Sequence, residues 1–159
     1  MSDPRSVVER WYQCLGKADL EGFTALHADN VVYNIAGRTS ISGRWQGKEI
    51  VFGTIIPQVF AALDPTRLAF ADPYRIHAAE GEGAAGMMIG GGYTPDGREY
   101  IQTYAHFFTV RDGLIVEVWE FFDTELAQAR LFDKQVEVAP QPENRFAVGD
   151  ARARPAGHS

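Results

Sequence analysis

The sequence predicts an α+β fold in which three N-terminal helices pack on one face of a curved, mainly antiparallel sheet. Helical patterns dominate the first third of the chain, strand patterns follow one another in the second half, and glycine-containing turns separate the strands. Helices followed by a run of strands indicate helices gathered on one face of an antiparallel sheet. The length of 159 residues favours one domain, residues 1–132, followed by a tail at residues 133–159 that is rich in Ala, Pro and Arg.

The first two helices have clear start and stop signals. Asp3 followed by Pro4 is a typical helix start, because Asp caps unpaired backbone N–H groups and Pro fits the first turn. Apolar residues then recur at helical spacing as far as Leu15, and Gly16 ends the pattern. Asp19 is expected to start a second, short helix by the same kind of capping.

One strand, one loop and a third helix are expected next. The first strand is predicted at residues 30–35, and the polar run at residues 37–45 is expected to be a loop. Apolar residues at helical spacing predict the third helix at residues 47–63. Pro57 should kink or shorten this helix, because proline lacks a backbone N–H and its ring collides with the preceding turn.

The second half of the chain carries four strand patterns and a final helix. β-branched and aromatic residues predict strands at residues 68–78, 84–93, 100–110 and 114–122. The glycines at residues 90–92 weaken the first hairpin and indicate a bulge or a close approach of the backbone to another group. Asp123 is expected to cap a short helix that continues to Phe132.

Composition and charge exclude several classes of function. The net charge is −6 and the Lys and Arg residues do not cluster, which argues against a nucleic-acid partner. No apolar run approaches the ~20 residues that span a bilayer, and the N-terminus lacks a signal-peptide pattern, so we expect a cytoplasmic protein without a membrane partner. The single cysteine, Cys14, excludes an internal disulfide, and the four histidines show no metal-binding spacing. Neither a metal nor a cofactor is expected.

The turn at residues 112–113 allows the last two strands to be paired by counting. Asp-Gly is a typical two-residue hairpin loop, and such a loop fixes the register of the strands around it. Counting outward places Ala105 opposite Glu120, on a face shared with Thr103, Phe107, Val118 and Phe122. The opposite face then carries Tyr104, His106, Phe108, Trp119 and Phe121.

Glu120 is the strongest candidate for a functional residue. It lies in an apolar strand, between Val118 and Phe122 and opposite the small Ala105, so a space is expected beside its carboxylate. Burial disfavours the charged form of a carboxylate and brings glutamates toward the range of general acid–base chemistry at neutral pH. The alternative is a structural glutamate that is paired with an arginine or a backbone donor, or that reaches the rim.

The opposite face of the hairpin predicts an interface. Its side chains, Tyr104, His106, Phe108, Trp119 and Phe121, are too apolar to remain in contact with water. Exposed apolar patches of this kind most often meet a second copy of the chain by two-fold symmetry. We therefore expect a homodimer through this face.

Four segments of the chain resemble the SnoaL-like branch of the nuclear transport factor 2-like (NTF2-like) superfamily. They are residues 7–11 (VVERW), 19–23 (DLEGF), 42–47 (SGRWQG) and the hairpin at residues 106–123. The resemblance covers residues 6–132 and implies a cone-shaped α+β fold with a pocket between the helices and the sheet. Proteins of this fold include isomerases, hydrolases, cyclases, dehydratases and non-catalytic binders, so the function has to be argued from the site.

Resemblance to enzymes of this fold singles out Glu120 and Asn34. In the limonene-epoxide hydrolases the water-activating carboxylate falls on Glu120 and a water-positioning asparagine on Asn34, but their arginine and second aspartate fall on Met87 and Ile89. The acid–base glutamate of the phenazine-biosynthesis condensing proteins also falls on Glu120. The alternative for Asn34 is a turn residue at a strand end.

The polar groups of the ketosteroid isomerases are missing from this chain. Their tyrosine, their carboxylate base and their protonated carboxylate fall on Trp11, Asn34 and Ala105. Steroid-isomerase chemistry is therefore not expected.

Together these observations predict a cofactor-independent enzyme of small-molecule, secondary metabolism. Glu120, assisted by Asn34, would act as general acid and base on a small hydrophobic ligand, in an isomerisation, cyclisation, dehydration or epoxide opening. The expected pocket lining is Trp11, Met87, Ile89, Tyr93, Thr103, Ala105, Phe107, Val118 and Phe122. The alternative is a non-catalytic ligand-binding or dimerising module of the same fold.

Overall fold

The computed structural model describes residues 3–136, and its helices and strands follow the predicted order. The helices are α1 (Pro4–Gly16), α2 (Leu20–Ala25), α3 (Lys48–Ile50), α4 (Pro57–Ala61) and α5 (Thr124–Arg130), with a 3-10 turn at Pro65–Arg67. The strands are β1 (His27–Ile35), β2 (Gly43–Gln46), β3 (Tyr74–Glu80), β4 (Gly83–Tyr93), β5 (Glu99–Arg111) and β6 (Leu114–Phe121). The predicted α+β fold is confirmed. Most of the predicted tail, residues 133–159, lies outside the described residues.

The described strands form one sheet in the order β2-β1-β6-β5-β4-β3. β1 and β6 are parallel, and the other neighbouring strands are antiparallel. The main buried core lies between the helices and one face of this sheet. We call this the inner face, which carries Tyr33, Met88, Tyr104 and Val118, and we call the opposite face the outer face. The sequence did not predict β2, which pairs with β1 at the end of the expected loop.

Side-chain caps explain where α1, α2 and α5 begin. The carboxylate of Asp3 accepts hydrogen bonds from two backbone N–H groups of the first turn of α1, both at 3.2 Å. Asp19 accepts one such bond at 2.9 Å at the start of α2, and Asp123 accepts one at 3.0 Å at the start of α5. These three predicted helix starts are confirmed, because each acidic side chain satisfies N–H groups that have no partner within the helix.

The third predicted helix is broken into short pieces. α3 ends at Ile50, a π-helical turn occupies Val51–Ile55, and α4 begins with Pro57. Proline cannot donate the backbone hydrogen bond that a continuous helix would require at this position, so the helix has to restart there. The expectation that Pro57 interrupts this helix is confirmed.

Glycines in β4 let neighbouring groups approach the strand closely. A Cβ atom at Gly90 would lie 2.7 Å from the ring of Phe70, which packs directly on the strand. Gly91 has a φ of +143°, and a Cβ atom there would lie 1.7 Å from the carbonyl oxygen of Tyr100. The close approach predicted from the glycine run is therefore confirmed, and these positions do not have room for a side chain.

A β-bulge in the last hairpin changes the register that simple counting predicts. The turn has positive φ at both central residues, as a two-residue hairpin loop requires, and the pairs next to it are as expected. Beyond these pairs Thr109 lies opposite Glu117, so Val116 is an extra residue in β6. An extra residue in one strand shifts every later pair by one and exchanges the face that the partner strand contributes.

The predicted pairing of Ala105 with Glu120 is wrong for this reason. Glu120 pairs with His106 instead, and Tyr104 and Phe108 share the inner face with that histidine. All three β5 side chains are buried. The prediction that Tyr104, His106 and Phe108 belong to an outer interface is therefore contradicted, since they form part of the core.

The outer face carries the side chains that β5 was expected to turn inward. Thr103, Ala105 and Phe107 lie on it, and Phe107 is 51% exposed. Trp119 and Phe121 of β6 also lie on this face, as predicted, and each is 46% exposed. We call Phe107, Trp119 and Phe121 the outer aromatic patch.

Candidate active site

A cavity of about 300 Å³ lies between the helices and the inner face of the sheet. One side is formed by α1, α2 and residues 52–60, and the other side is formed by the sheet. The lining residues are Trp11, Leu15, Leu20, Phe23, Thr24, Tyr33, Phe52, Ile56, Pro57, Val59, Phe60, Phe70, Met88, Tyr104 and Glu120. A concave apolar space with a few polar groups is typical of a small-molecule site.

Glu120 supplies the carboxylate of this cavity. Its side chain is 17% exposed, and its Oε2 atom lies 3.1 Å from Nε2 of the fully buried His106. Among residues 3–136, no protein donor forms a hydrogen bond with Oε1. One carboxylate oxygen is thus held by the protein, and the other is available to a ligand.

His106 is oriented from behind by Tyr12, whose hydroxyl lies 3.1 Å from Nδ1. Burial raises the pKa of Tyr12 far above its usual value, so the phenol keeps its proton and donates it to Nδ1. Nε2 then carries the ring proton and donates to Glu120. The imidazole ring packs against Trp11 and stacks parallel to Tyr104, with ring centroids 4.9 and 6.0 Å away.

A second buried histidine holds two more lining residues. Nδ1 of His27 donates to the backbone carbonyl of Phe23 at 2.9 Å. Nε2 accepts from the Tyr33 hydroxyl at 2.9 Å and from the Trp11 indole N–H at 3.2 Å. Burial lowers the pKa of His27 to about 4, which keeps the ring neutral and Nε2 able to accept at neutral pH. The hydroxyl proton of Tyr33 is therefore directed to His27 and away from the cavity.

The tyrosines of the lining contribute neutral hydroxyl groups. Burial raises the pKa of Tyr33 and of Tyr104 well above the usual value, and the nearby Glu120 acts in the same direction. Neither phenol ionises at neutral pH, so each can offer a proton or a lone pair but no negative charge.

The structure places two of the predicted site residues, Trp11 and Glu120, at the cavity. Val118 and Phe122 pack in the same core without lining the cavity. The other predicted lining residues lie outside it: Met87, Ile89, Tyr93, Thr103, Ala105 and Phe107. Because Met87 pairs with Ala105 across β4 and β5, it shares the outer face, and Met88 faces the cavity in its place.

Asn34 is not part of the cavity, which corrects the second catalytic assignment. Its Nδ2 atom donates to Oε1 of Glu117 at 2.9 Å, and Arg44 lies 3.9 Å from the same oxygen. Asn34 pairs with Trp119 of the parallel neighbour, so its side chain lies with the outer face of β6. The arrangement that would position a water between Asn34 and Glu120 is therefore absent from the described part of the chain.

Sequence counting missed His106, which contacts Glu120 from β5, and Tyr12, which contacts His106 from α1. A compositional signal for the bulge was nevertheless present in β5. The even-numbered residues from Tyr104 to Val110 are aromatic or branched and apolar, whereas the odd-numbered residues from Thr103 to Thr109 are mostly small. The larger, more apolar set belongs in a core, and this preference requires an odd shift of the register.

Neither a metal centre nor a transmembrane helix is found within residues 3–136. No three His, Cys, Asp or Glu side chains in that range are placed to hold a metal ion together. No helix in the same range is long and apolar enough to cross a bilayer.

The sequence profile of the SnoaL-like domain matches residues 8–118 of the chain. This match spans more than half of the 159 residues, and the protein belongs to the SnoaL-like domain family, as the four sequence segments indicated. No curated protein matches the chain.

Solved structures of NTF2-like proteins share the fold at low sequence identity. An NTF2-like protein from Burkholderia thailandensis is 19% identical with a TM-score of 0.70, over 82% of this chain and 98% of that one. A proposed polyketide cyclase from Pseudomonas putida is 18% identical with a TM-score of 0.64, over 82% and 99%. A proposed isomerase from Bacillus subtilis is 17% identical with a TM-score of 0.63, over 83% and 94%. At these identities the similarity establishes the fold and not the activity.

Proposed function

We propose that the protein is a cofactor-independent enzyme that moves a proton on a small apolar substrate, with Glu120 as general base and general acid. One observation carries this proposal: among the lining residues of the described chain, Glu120 is the acidic one, and its Oε1 atom has no protein donor. His106 holds the other oxygen, which fixes the direction of the carboxylate in an otherwise apolar space.

The proposed step starts at a carbon next to a carbonyl group of the substrate. Oε1 of Glu120 takes a proton from that carbon, and the electrons of the C–H bond move into the carbonyl to form an enolate. In an isomerisation the substrate is a β,γ-unsaturated carbonyl compound, so the enolate is a dienolate; the protonated Glu120 returns the proton to its γ-carbon, and the double bond moves into conjugation with the carbonyl. In a cyclisation the enolate carbon attacks a second carbonyl of the same molecule, and Glu120 gives its proton to the new alkoxide.

Isomerisation and cyclisation are favoured over epoxide opening. Epoxide opening requires a positioned water, but Asn34 lies with the outer face and Met87 and Ile89 carry no polar group. The fold neighbours described as a proposed polyketide cyclase and a proposed isomerase are consistent with the first two reactions. Isomerisation and cyclisation need one carboxylate in a cavity that excludes water, and the lining of this cavity supplies such a carboxylate in an apolar space.

The second candidate function is a non-catalytic binding module. The walls of the cavity are largely aromatic and aliphatic, and Glu120 is already bonded to His106, so it could serve to orient a ligand without exchanging protons with it. The two functions differ in whether a bound ligand exchanges protons with solvent.

Deuterium exchange separates the two functions. Small cyclic ketones with acidic α-protons, 2-tetralone among them, would be incubated with the protein in D₂O, and the loss of the α-proton signals would be followed by NMR. We expect wild-type protein to accelerate exchange and Glu120→Gln to lose the acceleration by roughly a hundredfold or more, the range for a general base. Glu117→Gln is the matched control, because this glutamate lies on the same strand but bonds to Asn34 outside the cavity. Equal rates for wild-type protein and Glu120→Gln would exclude the catalytic role.

We also propose that a second copy of the chain covers the outer aromatic patch. The ring centroids of Phe107 and Phe121 lie 6.1 Å apart in an edge-to-face arrangement, and Trp119 pairs with Phe107 across the two strands. Three large aromatic side chains that are about half exposed form an apolar patch of the kind that self-complementary two-fold interfaces bury.

A further inference from the structure

A chain of hydrogen bonds leads from β5 to the wall of the cavity. Nε2 of Gln102 donates to the hydroxyl oxygen of Tyr100 at 2.6 Å, and the hydroxyls of Tyr100 and Tyr104 are 2.9 Å apart. All three residues are buried, and Tyr104 also lines the cavity. The proton transfer proposed above does not use this chain of hydrogen bonds.

The direction of the chain follows from its donors and acceptors. The side-chain oxygen of Gln102 accepts the backbone N–H of Asp123, which fixes the amide so that its NH₂ group faces Tyr100. Tyr100 accepts this bond and must place its own proton elsewhere. Within residues 3–136, the group placed to accept that proton is the hydroxyl oxygen of Tyr104.

The reverse direction would leave a buried proton without an acceptor. If Tyr104 donated to Tyr100, the proton of Tyr100 would have no acceptor within residues 3–136, and an unsatisfied buried donor is costly. If Tyr100 donates, the proton without a protein acceptor is that of Tyr104, which lines the cavity and can give it to a water or a ligand there, whereas Tyr100 does not line the cavity. Burial raises the pKa of Tyr104 well above its usual value, so this proton is retained at neutral pH.

We infer that Tyr104 presents its hydroxyl proton to the cavity and binds a neutral oxygen acceptor of the ligand, so that the substrates are uncharged, apolar carbonyl compounds. This inference rests on the proposed function in that it assigns the substrate class of the same site. Tyr104 lies beside Glu120, because its ring stacks on His106, which donates to that carboxylate. A carbonyl oxygen at Tyr104 would therefore place a neighbouring carbon close to the carboxylate.

Two further features of the lining favour an uncharged carbonyl compound over an acid. The lining contains no Lys or Arg in the described chain, so an anionic ligand would meet the carboxyl of Glu120 without a compensating cation. The hydroxyl proton of Tyr33 is donated to His27 and that of Thr24 to the backbone carbonyl of Leu20, so neither residue offers a second donor to the ligand. One donor hydroxyl in an apolar cavity matches one carbonyl oxygen on an apolar skeleton.

The inference is tested by binding, without turnover. The probes are 2-tetralone and the hydrocarbon tetralin, which has the same ring skeleton without the carbonyl oxygen, and calorimetry measures both dissociation constants. We expect wild-type protein to bind the ketone roughly five- to tenfold more tightly, and Tyr104→Phe to remove this preference. Tyr33→Phe is the matched control and should keep the preference, because its hydroxyl proton is bonded to His27. No ketone binding, or equal binding of both probes by wild-type protein, would overturn the inference.

A spectroscopic measurement removes the dependence on the stability of the variant. The carbonyl stretch of ¹³C-labelled 2-tetralone bound to wild-type protein should lie below its frequency in hexane, because a donated hydrogen bond weakens the C=O bond. A bound band at the hexane position would refute the role of Tyr104 even if Tyr104→Phe did not fold. The outcome is separate from that of the exchange assay: Glu120→Gln should lose exchange but keep the lowered carbonyl stretch, whereas Tyr104→Phe should lose the lowered stretch.

Discussion

Nε2 of His106 lies 3.1 Å from Oε2 of Glu120 across the β5 and β6 strands, and the histidine has no exposed surface. The other ring nitrogen bonds to the hydroxyl of Tyr12, which is also fully buried. Three polar groups therefore connect α1 to the cavity through the core. Because the His106 ring packs against Trp11 of α1 and Tyr104 of β5, the carboxylate is held by elements of the scaffold and not by a loop.

We predict that Tyr12→Phe destabilises the protein and leaves Nδ1 of His106 without a hydrogen-bond donor. The substitution keeps the ring but removes the donor to Nδ1, and an unsatisfied buried acceptor costs about 1–3 kcal/mol. Urea unfolding would measure the loss in the free energy of unfolding. ¹⁵N NMR of the histidine rings should show the proton on Nε2 of His106 in the wild-type protein.

Tyr74→Phe is the matched control for that substitution. Tyr74 stacks on Tyr12 and also loses one hydroxyl hydrogen bond, to Glu9, but it lies nearer the surface. Water can replace the lost partner there, so we expect a cost below about 1 kcal/mol. Equal losses for the two variants, or a proton on Nδ1 alone in the wild-type protein, would contradict the proposed bonding of His106.

A second prediction concerns the dependence of stability on pH. The pKa of His27 falls from 6.5 to about 4 on folding, so between these values the unfolded chain binds a proton that the folded protein does not. The free energy of unfolding should therefore fall as the pH is lowered through this window, by up to about 3 kcal/mol. Above pH 6.5 the contribution is fully present.

The measurement is urea unfolding of wild-type protein and His27→Gln at several pH values between 6.5 and 4. Glutamine has no proton to gain in this range, so the variant should be less stable at neutral pH but lose less stability on acidification. Parallel curves for the two proteins would show that His27 does not contribute to acid sensitivity.

A third prediction is that Gly91→Ala disrupts the fold. Its Cβ atom would lie 1.7 Å from the carbonyl oxygen of Tyr100, and the backbone has a φ of +143°, which residues with side chains rarely adopt. We expect a loss of roughly 4 kcal/mol or more in the free energy of unfolding, or no folded protein. Gly53→Ala is the control, because nothing lies within 4 Å of its Cβ position, and its effect should stay within about 1 kcal/mol. Comparable thermal melting of both variants would contradict this assignment.

The fourth prediction tests the proposed dimer. Trp119→Lys places a charge in the outer aromatic patch, so it should convert a wild-type dimer into a monomer in sedimentation velocity experiments. Ile50→Lys is the control, since Ile50 is equally exposed at 46% but lies on α3, away from this face. A monomeric wild-type protein, or a Trp119→Lys variant that remains dimeric, would exclude the proposed interface.

The helix starts, the strand order along the chain and the family could be predicted from the sequence because their signals are local. Asp3, Asp19 and Asp123 cap the helices that directly follow them, and Pro57 interrupts the helix in which it lies. β2 was missed because a four-residue edge strand has too short a pattern, and it forms through its pairing with β1.

The site could be predicted only in part, because its geometry depends on the bulge at Val116. Glu120 does line the cavity as predicted, since the faces of β6 beyond the bulge were counted correctly. Its predicted neighbours on β5 are wrong, because the extra residue places His106 opposite Glu120, where counting had placed Ala105. The contact with Tyr12 joins residues 94 positions apart and has no local signal.

Val116 has a consequence for how this protein should be aligned with other members of its family. A relative that lacks the additional residue would turn the residues equivalent to Thr103, Ala105 and Phe107 toward the inner face, where this chain has Tyr104, His106 and Phe108. Two such proteins could have nearly the same letters in both strands and yet bind unrelated molecules. Residue roles assigned from a sequence alignment alone are therefore sound on only one side of Val116, unless the strand geometry is compared as well.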